Sequence, residues 1–207
     1  MTDSVTNEQM LRQVADHQAI ERVFRRYCRG VDRADVETLK SVFHPDAVNE
    51  DRGSVTNAHE WVELVIPTLR AMFTGTMHHI TNFDVQLDGD RAVVECYYIA
   101  YHELQRSEDL LKAFAGDSYV ERMRAAGRLD GGHEYIGKGR YFFRLERRDG
   151  EWRMTLRVAT FEFNELRPMV IGDPGSGLDQ MPRRERRGRE DPVFDLLEGR
   201  KLAGIES

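Results

Sequence analysis

The sequence predicts an α+β fold, with N-terminal helices held in the concave face of a curved antiparallel sheet. Three observations carry that expectation. Up to Gly75 the apolar residues recur with mainly helical spacing; from Thr76 the period changes to two; and two acidic-glycine turns, Asp88-Gly89-Asp90 and Asp149-Gly150, join long alternating segments.

Residues 1–6 read as a frayed leader. From Asn7 to Val31, the residues Ile20, Val23, Phe24, Tyr27, Cys28 and Val31 fall three and four apart, which stacks them on one helical stripe. Glu21, Arg22, Arg25, Arg26 and Arg29 fill the other face. Asp35 is placed to cap a short second helix running through Val42, with Leu39, Val42 and Phe43 inward. His44-Pro45-Asp46 ends it, because Pro45 disfavours helical geometry in the residue before it. An extended piece (Ala47 to Asp51) and a turn at Gly53 follow. Asn57 then reads as the N-cap of a third helix, with Glu60 completing a capping box. Its apolar face is Trp61, Leu64, Val65, Leu69, Met72 and Phe73; Pro67 predicts a kink and Gly75 its end.

Thr76 to Leu87 and Arg91 to Leu104 form the arms of a hairpin. Ser107 to Arg128 return to a helical pattern, an insertion at about 105–133 that closes at Gly131-Gly132. Tyr135 to Arg147 and Glu151 to Glu165 complete a meander of four long strands. Apolar side chains occur on both strand faces, so one face is expected to line a pocket and the other to meet a second subunit. The tail is different. It carries loop chemistry at Gly172 to Gly177 and a basic run, Arg183 to Arg189, expected to be solvated or paired with an acidic surface. Asp191-Pro192 then resembles a helix start, and Phe194, Leu196, Leu197 and Leu202 are the residues expected to dock on this subunit or a neighbour. The expected organisation is one domain over residues 7–166 with a C-terminal extension over 167–207.

Composition narrows the function classes. With 207 residues, 40% hydrophobic, 32% charged and a net charge of −6, the chain reads as one soluble domain without the basic surface of a nucleic-acid binder. No apolar run approaches the ~20 residues of a membrane span, and the polar N-terminus does not resemble a signal peptide. Cys28 and Cys96 sit in apolar runs without motif spacing, as free thiols in a reducing cytoplasm would. Metal-ligand motifs, phosphate-binding glycine loops and a serine-hydrolase elbow are absent, so no metal and no cofactor is expected.

Chemistry centres on Asp32, a carboxylate at the end of the first apolar stripe, and on the His78-His79 doublet near the start of the first strong strand. Neighbouring strand residues point to opposite faces, so the two histidines do not serve one site together. An Asp–His pair would fix the imidazole tautomer, leave the other nitrogen to take a proton from carbon, and stabilise the resulting imidazolium. Residue types alone leave a catalytic and a purely structural reading of that pair open.

Four motifs, in order, carry a resemblance: Tyr27-x-x-Gly30-Val31-Asp32, Phe43-His44-Pro45-Asp46-Ala47, Thr76-Met77-His78-His79-Ile80-Thr81-Asn82 and Arg147-Arg148-Asp149-Gly150-Glu151-Trp152. Together they resemble the SnoaL-like branch of the nuclear-transport-factor-2-like superfamily, over roughly residues 10–165. The similarity is greatest to its lyases: scytalone dehydratase, bile-acid 7α-dehydratase and hexachlorocyclohexane dehydrochlorinase. The resemblance implies a cone-shaped half-barrel with a deep apolar pocket and an Asp–His dyad as base. It implies Asp32 as the orienting carboxylate, His78 rather than His79 as the base, Tyr27 as an assistant to the leaving group or carbonyl, and Arg157 as the arginine of the last strand. It also implies a further acid on the strand after the Asp-Gly-Asp turn, for which His102 is the nearest candidate. Tyr98 shares that strand face and Tyr101 lies opposite; both, with Phe161 and Trp61, complete the candidate substrate-binding set.

The leading expectation is a cofactor-independent lyase performing β-elimination on a hydrophobic aromatic or polycyclic small molecule, with water, halide or formaldehyde as the fragment lost, the last as from lignin-derived diarylpropanes. Isomerisation or polyketide cyclisation on the same fold is a second reading, and a non-catalytic ligand-binding or assembly subunit a third. The expected setting is cytoplasmic, with a homo-dimer or homo-trimer and no nucleic-acid or membrane partner.

Overall fold

The computed structural model describes residues 6–169, 172, 175–178, 180–181 and 186–200. The leader before Thr6, Arg183-Arg184-Glu185 of the basic run, and Leu202 lie outside the described residues.

Helix α1 (Asn7–Asp32) opens on Thr6, whose Oγ1 accepts from the Gln9 amide at 3.2 Å while Gln9 Oε1 accepts from the Thr6 amide at 2.8 Å. Its buried face is Ile20, Val23, Phe24, Tyr27 and Val31, each contributing on the order of 1.5–3 kcal/mol. Gly30 belongs to that face for a steric reason: a Cβ there would lie 2.8 Å from Leu39. Its absence lets α2 (Val36–Lys40), capped by Asp35 through a 3.1 Å bond from the Thr38 amide, pack directly on α1. Helix α2 is shorter than expected. Phe43 already pairs with Met154, so β1 (Phe43–Asp51) begins before Pro45.

Strand β2 (Ser54–Asn57) folds back antiparallel on β1, and α3 (Ala58–Met72) starts as the sequence predicts, with Asn57 Oδ1 accepting from the His59 and Glu60 amides at 2.8 and 3.3 Å. The helix continues past Pro67 and stops at Met72 rather than Gly75, because Phe73 is extended and enters the sheet opposite Leu104.

Five further strands, β3 (Phe73–Asp88), β4 (Arg91–Leu104), β5 (His133–Arg148), β6 (Glu151–Ala159) and β7 (Phe163–Pro168), complete a curved, unclosed seven-stranded sheet. The spatial order is β2-β1-β6-β5-β4-β3, with β7 also on β5. Two features depart from a plain meander. Strand β1 joins parallel to β6, the single parallel pairing among otherwise antiparallel ones in the described residues. The last long strand is also divided. Strand β6 pairs with Tyr141–Arg148 of β5 and β7 with His133–Lys138, and the chain crosses over Gly139 between them. A Cβ at Gly139 would collide with the Thr160 carbonyl, and Thr160 bonds Arg140 through both backbone and hydroxyl. The insertion forms two helices, α4 (Glu108–Ala115) and α5 (Asp117–Ala125), separated by Gly116 at φ 86°.

Several motif residues outside the Asp32–His78 pair are staples. Asp16, buried on α1, accepts from Arg147 Nη1 at 2.6 Å and from Trp152 Nε1 at 2.9 Å, which ties the helix to the far end of β5 and β6. His44 Nε2 lies 3.0 Å from the Glu146 carbonyl, and Asp46 pairs with Arg148 at 2.7 Å. At the C-terminal end, Asp191 caps α6 (Pro192–Leu197) and pairs with Arg33 at 2.9 Å. Phe194 is buried, whereas Leu196 and Leu197, expected to dock, are exposed. Among the described residues no helix is long and apolar enough to cross a membrane.

Candidate active site

The end of α1 faces the start of β3. Asp32 Oδ1 lies 2.7 Å from His78 Nδ1, and its Oδ2 accepts from the His78 backbone amide at 3.0 Å. One carboxylate thus grips both the ring and the chain of the same residue. In a neutral imidazole that arrangement puts the proton on Nδ1 and the lone pair on Nε2. Side-chain exposures of 7% and 12% show that the pair is built into the wall and not onto the surface. Met77 and His79 sit on the opposite strand face, with His79 against Tyr101 at a ring separation of 5.9 Å. This corrects the placement of Tyr101. Strand alternation sends Tyr98, Ala100 and His102 into the cavity and Tyr101 to the outside, so it lines no part of the site.

The cavity beside His78 has a volume of about 850 Å³. At one end His102 stacks edge-on against His78 at 5.4 Å and against Phe73 and Tyr135 at 4.8 and 5.2 Å. Burial first, and the neighbouring His78 second, hold His102 down to about 4, so its imidazole is neutral at neutral pH and offers no imidazolium proton.

At the other end stands Arg157, buried on β6. Its Nε donates to the Tyr27 hydroxyl at 2.8 Å and its Nη1 to Asn49 Oδ1 at 2.8 Å. Its guanidinium lies over the rings of Trp61, Tyr141 and Tyr27 at 4.5, 5.0 and 5.8 Å. The three rings explain how a long cation fits on a core strand. Burial, against the pull of Arg157, raises the Tyr27 hydroxyl pKa. Tyr27 therefore keeps its own proton.

Tyr98 donates its hydroxyl to the Thr160 carbonyl at 2.8 Å and stacks on Tyr141 with ring centroids 4.2 Å apart, so it presents a ring face to the cavity. Phe161 lies at the rim and is half exposed. The cavity therefore gathers Tyr27, Trp61, His78, Tyr98, His102, Arg157 and Phe161 from the expected set, with Asp32 bonded behind His78.

Sequence reasoning missed two contributions. Asn49 is buried and holds Arg157; its signal was a polar residue on the inward side of β1, two after the buried Ala47. The insertion is the other. Phe114 and Ala115 of α4 and Tyr119 and Arg122 of α5 form a wall of the same cavity, with Phe114 against Phe73 and Tyr135 at 6.1 and 5.2 Å. Cys28, beside Asp32, is raised to about 12 by burial and then by that carboxylate, which makes it unreactive. Among the described residues no three His, Cys, Asp or Glu side chains gather closely enough to hold a metal ion.

Fold and cavity together define an α+β cone with a carboxylate-held histidine in its wall. Residues 12–158 match the SnoaL-like domain, and the chain belongs to that family. No curated protein matches it in sequence. Among solved structures it is similar to a type-2 hexachlorocyclohexane dehydrochlorinase (19% identity, 80% of this chain and 99% of that one, TM-score 0.61). It is also similar to the type-3 enzyme of Novosphingobium barchaimii (17%, 84% and 99%, TM-score 0.59) and to a candidate scytalone dehydratase of Novosphingobium aromaticivorans (18%, 74% and 88%, TM-score 0.57). At these identities the likeness establishes the fold.

Proposed function

We propose that the chain is a cofactor-independent lyase that performs β-elimination on a hydrophobic aromatic or polycyclic small molecule. One observation carries the reading: the Asp32 carboxylate holds both Nδ1 and the backbone amide of His78 at the wall of a cavity of about 850 Å³. In the proposed step His78 Nε2 takes a proton from carbon, and the C–H electron pair becomes the new double bond. The leaving group departs with its own bonding pair. Asp32 stabilises the imidazolium as it forms. Tyr27 is poised to protonate a departing hydroxyl, because its oxygen accepts from Arg157 and its own proton is left to donate. Arg157 stabilises the negative charge that develops at that end.

The aromatic lining supports a flat, unsaturated substrate. The names of two neighbours, a dehydrochlorinase and a candidate dehydratase, support elimination as the reaction class. The test incubates wild type and His78→Ala with two probe classes: hydroxylated tetralones for water loss and chlorinated cyclohexanes for halide loss. The expected result is turnover of one class by wild type and a loss of about 10²–10⁴-fold in His78→Ala that is still folded at the assay temperature by circular dichroism. Equal turnover by both proteins sinks the reading.

A further inference from the structure

Arg157 is a buried charge without a counter-charge. Only 4% of it is exposed, and both of its hydrogen bonds go to neutral groups: Nε to the Tyr27 hydroxyl and Nη1 to Asn49 Oδ1. The rings of Trp61, Tyr141 and Tyr27 attract the guanidinium and offset part of the cost of burying it, but they bring no negative charge. A guanidinium taken out of water ordinarily has a carboxylate beside it.

Among the described residues no carboxylate pairs with Arg157. Two carboxylates line the cavity, and both are engaged elsewhere. Asp51, two residues after Asn49 on β1, acts on Arg157 from a distance; its Oδ1 has no hydrogen bond and pairs with Arg52 Nε at 3.6 Å. Glu165 on β7 pairs with Lys138. The remaining nitrogen of Arg157, Nη2, has no hydrogen-bond partner among the described residues, and it is not sealed in the interior: it opens on the cavity. Arg122 on α5 adds a second cation to the wall, resting 5.8 Å over the Tyr119 ring and pairing with no carboxylate among the described residues.

We propose that the ligand of this cavity is a flat aromatic anion, a carboxylate or an ionised phenol, whose negative oxygen is bound by Arg157 Nη2. The ligand then supplies the charge that the protein withholds, through a charge-assisted hydrogen bond made in a place shielded from water. Its flat body lies among the rings of Trp61, Tyr98 and Tyr141, and the negative oxygen fixes which end enters first. That names the kind of substrate for the lyase proposed above and rests on that reading, but the test reads binding and needs no turnover.

Calorimetric titration at neutral pH compares three probes of one shape: 2-naphthoate, 2-naphthol and the uncharged 2-naphthamide. Wild type is expected to bind 2-naphthoate, or 2-naphthol as its anion, at least about tenfold tighter than 2-naphthamide. The absorbance of bound 2-naphthol shows whether it has lost its proton, which separates a phenol from a carboxylate as the natural group. Arg157→Met endangers the fold, so the deciding variant is Asn49→Asp, which keeps the shape and sets the missing carboxylate against Nη1. In that variant the preference for the anion is expected to disappear. Equal affinities in wild type, no binding of either anion, or an undiminished preference in Asn49→Asp overturns the proposal. His78→Ala is expected to keep the preference. Equal turnover by wild type and His78→Ala would therefore end the lyase reading alone, and loss of the anion preference would end only this one.

Discussion

His102 shows how much one side chain's surroundings decide. Its sequence position suggested an acid, yet burial and His78 hold it at about 4 against an ordinary 6.5. The sign of the linked stability follows directly. Between these values the unfolded chain takes up a proton at residue 102 and the folded chain does not, so stability falls as pH drops from about 6.5 to 4 and is complete above that window. The contribution is about 3 kcal/mol. Urea unfolding of wild type and His102→Asn across this range is expected to show a shallower pH slope in the variant; parallel slopes would mean that His102 titrates normally in the fold. At the same scale Asp32 and His78 were legible as types, because a carboxylate ending an apolar stripe requires a partner. Asn49 was not, because a lone Asn in a short strand has no spacing that singles it out, and its purpose depends on an arginine 108 positions away. Tyr101 was misassigned although alternation alone would have excluded it.

Among the elements, the division of the final strand is the feature that period-two patterning did not show. Glu151 to Glu165 reads as one run, since alternation is a property of each residue and its neighbours, not of the partner strand. The break comes from Gly139 on β5, over which Thr160 crosses. Gly139→Ala is expected to cost about 2–4 kcal/mol, because the clash is with backbone and cannot be relieved by a rotamer; a urea midpoint within error of wild type would refute that. The insertion follows the same logic. Its helical period was readable, but not the fact that Phe114 and Tyr119 close the cavity. An amphipathic pattern tells which face is buried and says nothing about what it is buried against.

For the whole molecule, the cone depends on holding α1 against both ends of the sheet. Asp32 holds one end to β3, and Asp16, through Arg147 and Trp152, holds the other to β5 and β6. Arg147 is shared with Asp90 at the β3–β4 turn, so one buried carboxylate links the helix to three strand ends. Asp16→Ala leaves the Trp152 indole N–H and one guanidinium nitrogen of Arg147 without an acceptor while Asp90 still holds the rest, and is expected to lose about 1–3 kcal/mol in urea unfolding. A loss below about 1 kcal/mol would show that the staple is solvated and that the cone is held by apolar packing alone.

The sequence by itself determined the fold class and most of the helices, strands and caps, because these follow from periodicity and turn chemistry; Asp32 followed from the cost of a charge on an apolar face, and His78 rather than His79 from the family resemblance. Only the tertiary structure decided which sides of the cavity the insertion and Asn49 complete, why Arg157 can be buried, and that the C-terminal extension is tied back to Arg33 at the end of α1. Those are contacts between residues tens to more than a hundred positions apart, and no local pattern records them. They exist because the curved sheet brings its inner face, the end of α1 and the returning tail to one place.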